Sequence, residues 1–270
     1  MIISHKHRFV FFHNPKAGGT SIRRAMEPFH DIGFGLWHAD PAQTRGVTVD
    51  RAHLGIDEFA GYYPELWAQV RDYDLFCLVR DPQRRFLSSV SEYCRTFTDT
   101  DLRLVSPEEG RDMVLRVVGT LAAKGVAENV VDDFTLTHFR PQHLYWHSAQ
   151  RGVAVTAYET GDIAALFARL SGRTGTALEA RQERAAQTYD LPKAAQWLHA
   201  AKGLQGALKR VPGVSAVLDR GKALAKARYA TGQGRRLALS EADGQTITDF
   251  VRDFYARDYA LWPEGVPPAP

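Results

Sequence analysis

A chain of 270 residues, 44% hydrophobic and 24% charged, is long enough for one α/β domain with a sizeable core and has the balance of an ordinary globular protein. A formal net charge of +3 says little about partners, two cysteines do not make a disulfide framework, and ten scattered histidines show no zinc-ligand spacing. No stretch approaches a membrane span, and the apolar run at 9–12 is too short for a signal peptide, so a cytoplasmic protein is expected.

In chain order, strand signals fall near residues 8–13, 47–54, 73–80 and 152–158, and helical signals near 20–28, 61–70, 82–95, 107–124 and 162–170. Strands alternating with helices predict a parallel sheet with helices on both faces. Ser106-Pro107-Glu108-Glu109 reads as a helix start, and Asp162 as the N-cap of the helix after Glu159. Residues 193–230 read as two helices broken at Val211-Pro212-Gly213. Residues 191–236 hold ten Lys or Arg and one acidic residue, Asp219, a net +9 that leaves −6 for the remainder. Such a segment suits a helical cap with its charged face in water, or a lid meeting an anionic glycan, membrane or nucleotide. No nucleic-acid-binding motif accompanies the charge, so no nucleic-acid partner is expected. The chain is read as a single domain, 1–270, with a basic helical insertion or cap at about 190–236.

Phe9-Val10-Phe11-Phe12-His13-Asn14 runs into Pro15-Lys16-Ala17-Gly18-Gly19-Thr20-Ser21 and then a helix. That order places unpaired N–H groups and the positive end of a helix dipole where an anion is favoured. Glycines let backbone approach a phosphate, and Lys16 adds charge at its edge. A Gly pair alone also fits an ordinary turn, but the whole run points to a phosphate cradle. It is not a Walker loop, because Lys16 precedes Gly18 and Gly19 instead of following the second glycine.

Leu75-Phe76-Cys77-Leu78-Val79 is the continuous apolar run of a strand buried on both faces, and Arg80 stands at its C-terminal edge, where open α/β sheets bind ligands. Asp81-Pro82 reads as an N-cap followed by Pro at the first helical position. Arg85 and Ser88 follow three residues apart, on one face of that helix. A strand-end Arg and a helix Ser suit a second phosphate, although the arginines also fit simple pairing with Asp81 and surface carboxylates.

Pro15-Lys16-Ala17-Gly18-Gly19-Thr20-Ser21 resembles the 5′-phosphosulfate loop of sulfotransferases that use 3′-phosphoadenosine 5′-phosphosulfate (PAPS). Arg80-Asp81-Pro82, with Arg85 and Ser88, resembles their 3′-phosphate motif. The chain is similar to the membrane-type carbohydrate sulfotransferases, including the uronyl 2-O-sulfotransferase-like group and its soluble bacterial relatives. Arg51-Ala52-His53-Leu54-Gly55 resembles the segment that carries the family's catalytic His, and Thr137-His138-Phe139-Arg140-Pro141-Gln142 its Pro-Gln segment. Ala157-Tyr158-Glu159 resembles the following strand end, and Leu239-Ser240-Glu241 with Phe254-Tyr255-Ala256-Arg257-Asp258-Tyr259 the terminal helix. Ala17 stands where Thr is commoner, and residues 190–236 match no part of the family.

The resemblance implies a P-loop-like three-layer α/β fold, a central parallel sheet flanked by helices, with a helical C-terminal part. It implies sulfuryl transfer from PAPS to a hydroxyl of a carbohydrate or glycoconjugate, leaving adenosine 3′,5′-bisphosphate (PAP), with no metal. Lys16 then neutralises charge on the phosphosulfate bridge, and Lys16, Ala17, Gly18, Gly19, Thr20 and Ser21 hold the 5′-phosphate. Arg80 and Ser88 hold the 3′-phosphate, Arg85 braces their loop, and His53 is the base. His138, Arg140, Gln142 and His143 line the acceptor site, or one of those histidines is the base instead. Two rival readings are a P-loop-type nucleotide kinase or NTPase, which needs a Mg²⁺-binding hydroxyl that this loop lacks after its Lys, and a non-catalytic nucleotide-binding interaction protein.

Overall fold

The computed structural model describes residues 1–33, 35–36, 41–44, 47–98, 100–102, 105–178, 188–189, 230–231 and 237–266. The chain divides into two compact units, Met1–Tyr93, Val114–Glu183 and Ser240–Pro270 in one, Cys94–Met113 and Arg184–Leu239 in the other. In the first, strands β1 (Ile2–Ser4), β2 (Phe9–Phe12), β5 (Asp74–Val79) and β6 (Val155–Glu159) form a sheet in the order β1-β2-β5-β6. Strand β1 pairs antiparallel with β2, while β2–β5 and β5–β6 are parallel, so the sheet is mostly parallel.

The unbroken apolar runs have a direct cause: helices cover both faces of the sheet. Val10, Phe12, Leu75, Cys77 and Val79 pack with Ile56, Phe59 and Ala60 of α2 (Ile56–Tyr62) and Trp67 and Val70 of α3 (Pro64–Val70). The alternate residues Phe9, Phe11, Phe76 and Leu78 pack with Ile22 and Met26 of α1 (Gly19–Met26) and Leu166, Phe167 and Leu170 of α6 (Ile163–Thr174). Phe11 and Phe76 stack with ring centroids 5.6 Å apart across the β2–β5 pair. Each such fully buried ring contributes about 1.5–3 kcal/mol by leaving water.

Two helix starts, at Asp81 and Ser106, follow the expected chemistry, and one does not. Asp81 Oδ1 accepts the Arg84 amide at 2.8 Å and opens α4 (Pro82–Phe97) with Pro82 in its first turn. Ser106 and Glu109 bond each other's backbone N–H at 3.1 and 2.9 Å, a capping box for α5 (Pro107–Ala122). Asp162 occupies the N-cap position of α6, but its side chain makes no capping bond. Ser240 and Asp243 form a second capping box at α7 (Glu241–Phe254), which is followed by α8 (Ala256–Ala260).

Residues 47–54 depart from the expected sheet strand. Only β4 (Val47–Asp50) is extended, and it pairs antiparallel with β3 (Pro41–Thr44) in a local two-stranded ribbon. Asp50 then accepts the Ala52 amide at 2.9 Å and turns the chain into a 3₁₀ turn, Arg51–His53. In the second unit a two-residue antiparallel pair joins β7 (Thr188–Tyr189) to β8 (Ala230–Thr231). The expected helices within 193–230 fall almost wholly outside the described residues. Among the described residues no helix is long and apolar enough to cross a membrane.

Candidate functional site

Two loops leave the C-terminal ends of the adjacent parallel strands β2 and β5, the edge at which open α/β sheets bind ligands. The β2 loop is sharply folded: Lys16 has φ 62° and Gly18 φ 78°. The left-handed conformation at Lys16 costs a non-glycine residue about 1–2 kcal/mol, so surrounding contacts must hold it. Asn14 supplies one such contact, its Nδ2 donating to the carbonyl of Leu78 and to Gln142 Oε1, both at 2.9 Å. Lys16 Nζ lies 3.2 Å from Glu92 Oε2 of α4, both side chains partly open to solvent. Ala17 is buried against the α1 face of the sheet.

The two glycines serve different ends. A Cβ on Gly18 would meet Thr160 Cγ2 at 2.9 Å as well as straining the positive φ. A Cβ on Gly19 would sit 2.2 Å from the His13 ring, so this glycine makes room for an imidazole. Thr20 and Ser21 lie in the first turn of α1, which carries no acidic residue; their side chains are outside the described part of the chain.

Arg80 closes the site from β5. Its guanidinium donates to the Lys16 carbonyl at 3.2 Å, and Gln142 accepts from the Arg80 amide at 3.1 Å while donating to its carbonyl at 2.8 Å. Burial and the neighbouring Arg84 pull the Arg80 pKa down, against Asp81 and Glu159, which raise it. Arg85 does not share an open face with Ser88. It is wholly buried and turned inward, donating to the carbonyls of Pro15 at 3.4 Å, His138 at 3.2 Å and Arg140. Those bonds join the loop after β2 to segment 138–140, and not the Arg80–Ser88 segment that Arg85 was expected to brace. Ser88 is half-buried; its neighbour Ser89 instead bonds the His138 carbonyl at 2.7 Å.

His53 ends the 3₁₀ turn and is 7% exposed, with Nδ1 at 2.9 Å from the His13 carbonyl. A carbonyl only accepts, so Nδ1 carries the proton and Nε2 keeps its lone pair. The His13 and His138 rings lie 4.6 and 5.8 Å from the His53 ring. Burial pushes His53 down to about 3, with Arg140 and Arg23 adding to the effect against the His13 carbonyl bond. Burial holds His13 well below the ordinary histidine range. It also takes His138 to about 4, with His53 and Lys16 lowering and Glu92 and Asp50 raising it. All three rings are therefore neutral near pH 7, and His138 lies within the electrostatic reach of both Lys16 and His53.

The remaining candidates separate. Arg140, 2% exposed, donates to the His53 carbonyl at 2.9 Å and pairs with Glu58; Gln142, also buried, bridges Asn14 and Arg80. His143 bonds Asp258 of α8 through Nδ1 at 2.8 Å and takes part in docking the C-terminal helices. Of the four residues 138, 140, 142 and 143, His138 alone makes a ring contact with His53. Among the described residues no His, Cys, Asp and Glu side chains group as a metal site. Asn14 and Glu92 were not anticipated, although Arg85, Ser89 and Glu92 fall at helical spacing i, i+4, i+7.

Set against protein-family models, curated proteins and solved structures, the chain matches none of them.

Proposed function

We propose that this chain is a PAPS-dependent O-sulfotransferase on a P-loop-like fold, acting on a hydroxyl of a carbohydrate or glycoconjugate. The observation that carries the reading is the bond from Arg80 to the Lys16 carbonyl, which holds two cationic strand-end loops side by side on neighbouring parallel strands. A nucleotide phosphorylated on both sides of its ribose needs two such anion sites, one on each loop.

In this reading the backbone donors at the start of α1 hold the 5′-phosphate, while Arg80 and the hydroxyl of Ser88 hold the 3′-phosphate. Lys16 bears the charge that develops on the bridging oxygen as its bond to sulfur breaks, and PAP leaves with that electron pair. His53 Nε2 takes the proton of the acceptor hydroxyl as the acceptor oxygen bonds sulfur. A base held near pKa 3 is weak, but negative charge brought beside it stabilises the imidazolium and raises that value. The base thus strengthens when the anionic donor arrives. Glu92 balances Lys16 until then.

The test is incubation of the protein with radiolabelled PAPS and a panel of polysaccharides, glycolipids and small hydroxylated metabolites. Transfer of label to a hydroxyl, lowered roughly a hundredfold or more in Lys16→Ala, is the expected result. Binding of PAPS with no release of PAP across the panel would leave a nucleotide-binding protein, not an enzyme.

A further inference from the structure

Two arginines of the first unit are almost wholly buried, Arg85 at 0% and Arg140 at 2% exposure. Arg85 reaches three carbonyl oxygens, those of Pro15, His138 and Arg140, and lies with its guanidinium carbon 5.2 Å over the Tyr255 ring. Arg140 donates one nitrogen to the His53 carbonyl at 2.9 Å and another to Glu58, whose carboxylate also accepts the Gly55 amide at 2.9 Å. Tyr145 adds its hydroxyl to the same His53 carbonyl at 2.9 Å. The Nε of each arginine is buried with no hydrogen-bond partner.

Burying a guanidinium costs several kcal/mol, and an unpaired buried donor adds about 1–3 kcal/mol. Apolar side chains of similar volume would fill the same space at less cost. What the arginines supply instead is a continuous path of hydrogen bonds. It begins at the carbonyl of Pro15, the residue before Lys16, passes through Arg85 to the Arg140 backbone, and ends through the Arg140 guanidinium on the His53 carbonyl. Segment 138–140 in the middle is held twice, since Arg85 and Ser89 both bond the His138 carbonyl.

We propose that Arg85 and Arg140 together are positioning residues that fix His53 against the Lys16 loop, so that base and donor lysine keep one spacing. The proposal rests on the sulfotransferase reading of Lys16 and His53. Neither arginine touches a reacting atom; each acts through a backbone carbonyl. Positional error of about 1 Å at a catalytic group costs on the order of a hundredfold in rate. The brace therefore belongs to turnover and not to donor binding.

The test compares the parent protein with Arg85→Met, Arg140→Lys and Tyr145→Phe. PAP affinity is measured by calorimetry, and turnover by release of PAP from PAPS with water as acceptor. The brace predicts that Arg85→Met and Arg140→Lys lower kcat roughly 10- to 100-fold, with the PAPS KM and PAP affinity within about threefold of the parent. Tyr145→Phe, which removes a single oxygen, is expected to lower kcat about threefold or more in the same pattern. It carries the test alone if the arginine variants do not fold. Folded variants that turn over at the parental rate, or that lose PAP affinity in proportion to rate, overturn the brace. A parent that binds no PAP overturns the sulfotransferase reading itself.

Discussion

The Arg80 guanidinium donates to the Lys16 carbonyl at 3.2 Å, across 64 residues of sequence, and so joins the end of β5 to the loop after β2. The contact ties the backbone of the Lys16 loop to β5 through one nitrogen of the Arg80 fork. In the proposed reading the rest of the fork meets the 3′-phosphate.

Arg80→Ala should therefore weaken PAP binding by about ten- to a hundredfold, the loss of a charge-assisted contact, and leave adenosine 5′-phosphate binding within about threefold. Calorimetric titration of both nucleotides checks this. If Arg80→Ala binds PAP as tightly as the parent, the second phosphate site is misplaced.

In the proposed reading Lys16 and His53 act in turnover and not in donor binding. Lys16→Ala should lower kcat by roughly a hundredfold or more while changing PAP affinity far less, because developing charge on a leaving oxygen exists only in the transition state. His53→Ala should nearly abolish transfer and leave PAP affinity intact. Full activity in His53→Ala would move the base to His138, whose ring is its neighbour at 5.8 Å.

Acid should destabilise the fold through the histidine cluster. In the unfolded chain these rings take up protons near pH 6.5, whereas the native protein keeps His53 neutral down to about 3 and His138 down to about 4. Between those values the unfolded state binds more protons, so stability is present above pH 6.5 and is lost as pH falls, by about 1.4 kcal/mol per pH unit for each ring. Denaturant unfolding at pH 7.5 and 5.5 measures the slope. Replacing His53 with Gln should make it shallower, and an unchanged slope would place His53 outside the buried cluster.

Gly18→Ala tests the loop itself. The positive φ and the 2.9 Å approach to Thr160 Cγ2 together predict a loss of about 1–3 kcal/mol in stability. Adding Thr160→Ser, which removes that methyl, should recover part of the loss and leave the backbone strain. Complete recovery would mean that the conformation at Gly18 costs nothing.

Local signals were legible in the sequence and long-range ones were not. Phe9–Phe12 and Leu75–Val79 are buried on both faces, so their apolar runs are unbroken and read as sheet strands at once. Asp81-Pro82 and Ser106 with Glu109 carry their capping chemistry within four residues. Residues 47–54 depart from the expectation because Val47–Asp50 has strand composition but, among the described residues, pairs with Pro41–Thr44 alone, a segment with no strand signature of its own. At the candidate site, Lys16, Arg80 and His53 stand in stretches that the sequence itself singles out. The partners that hold them come from far along the chain: Gln142 lies 128 residues from Asn14, and Arg140 lies 87 from His53. No local pattern announces such contacts. Arg85 shows the same limit, since helical spacing put it beside Ser88 while the carbonyls of three distant residues draw it inward.

The most direct test of the central claim is a calorimetric titration of the purified protein with PAP in the absence of metal, beside ATP with Mg²⁺ and adenosine 5′-phosphate. The double-phosphate site predicts clear PAP binding and much weaker binding of the other two. No PAP binding, or a preference for Mg·ATP, would contradict the reading of both loops.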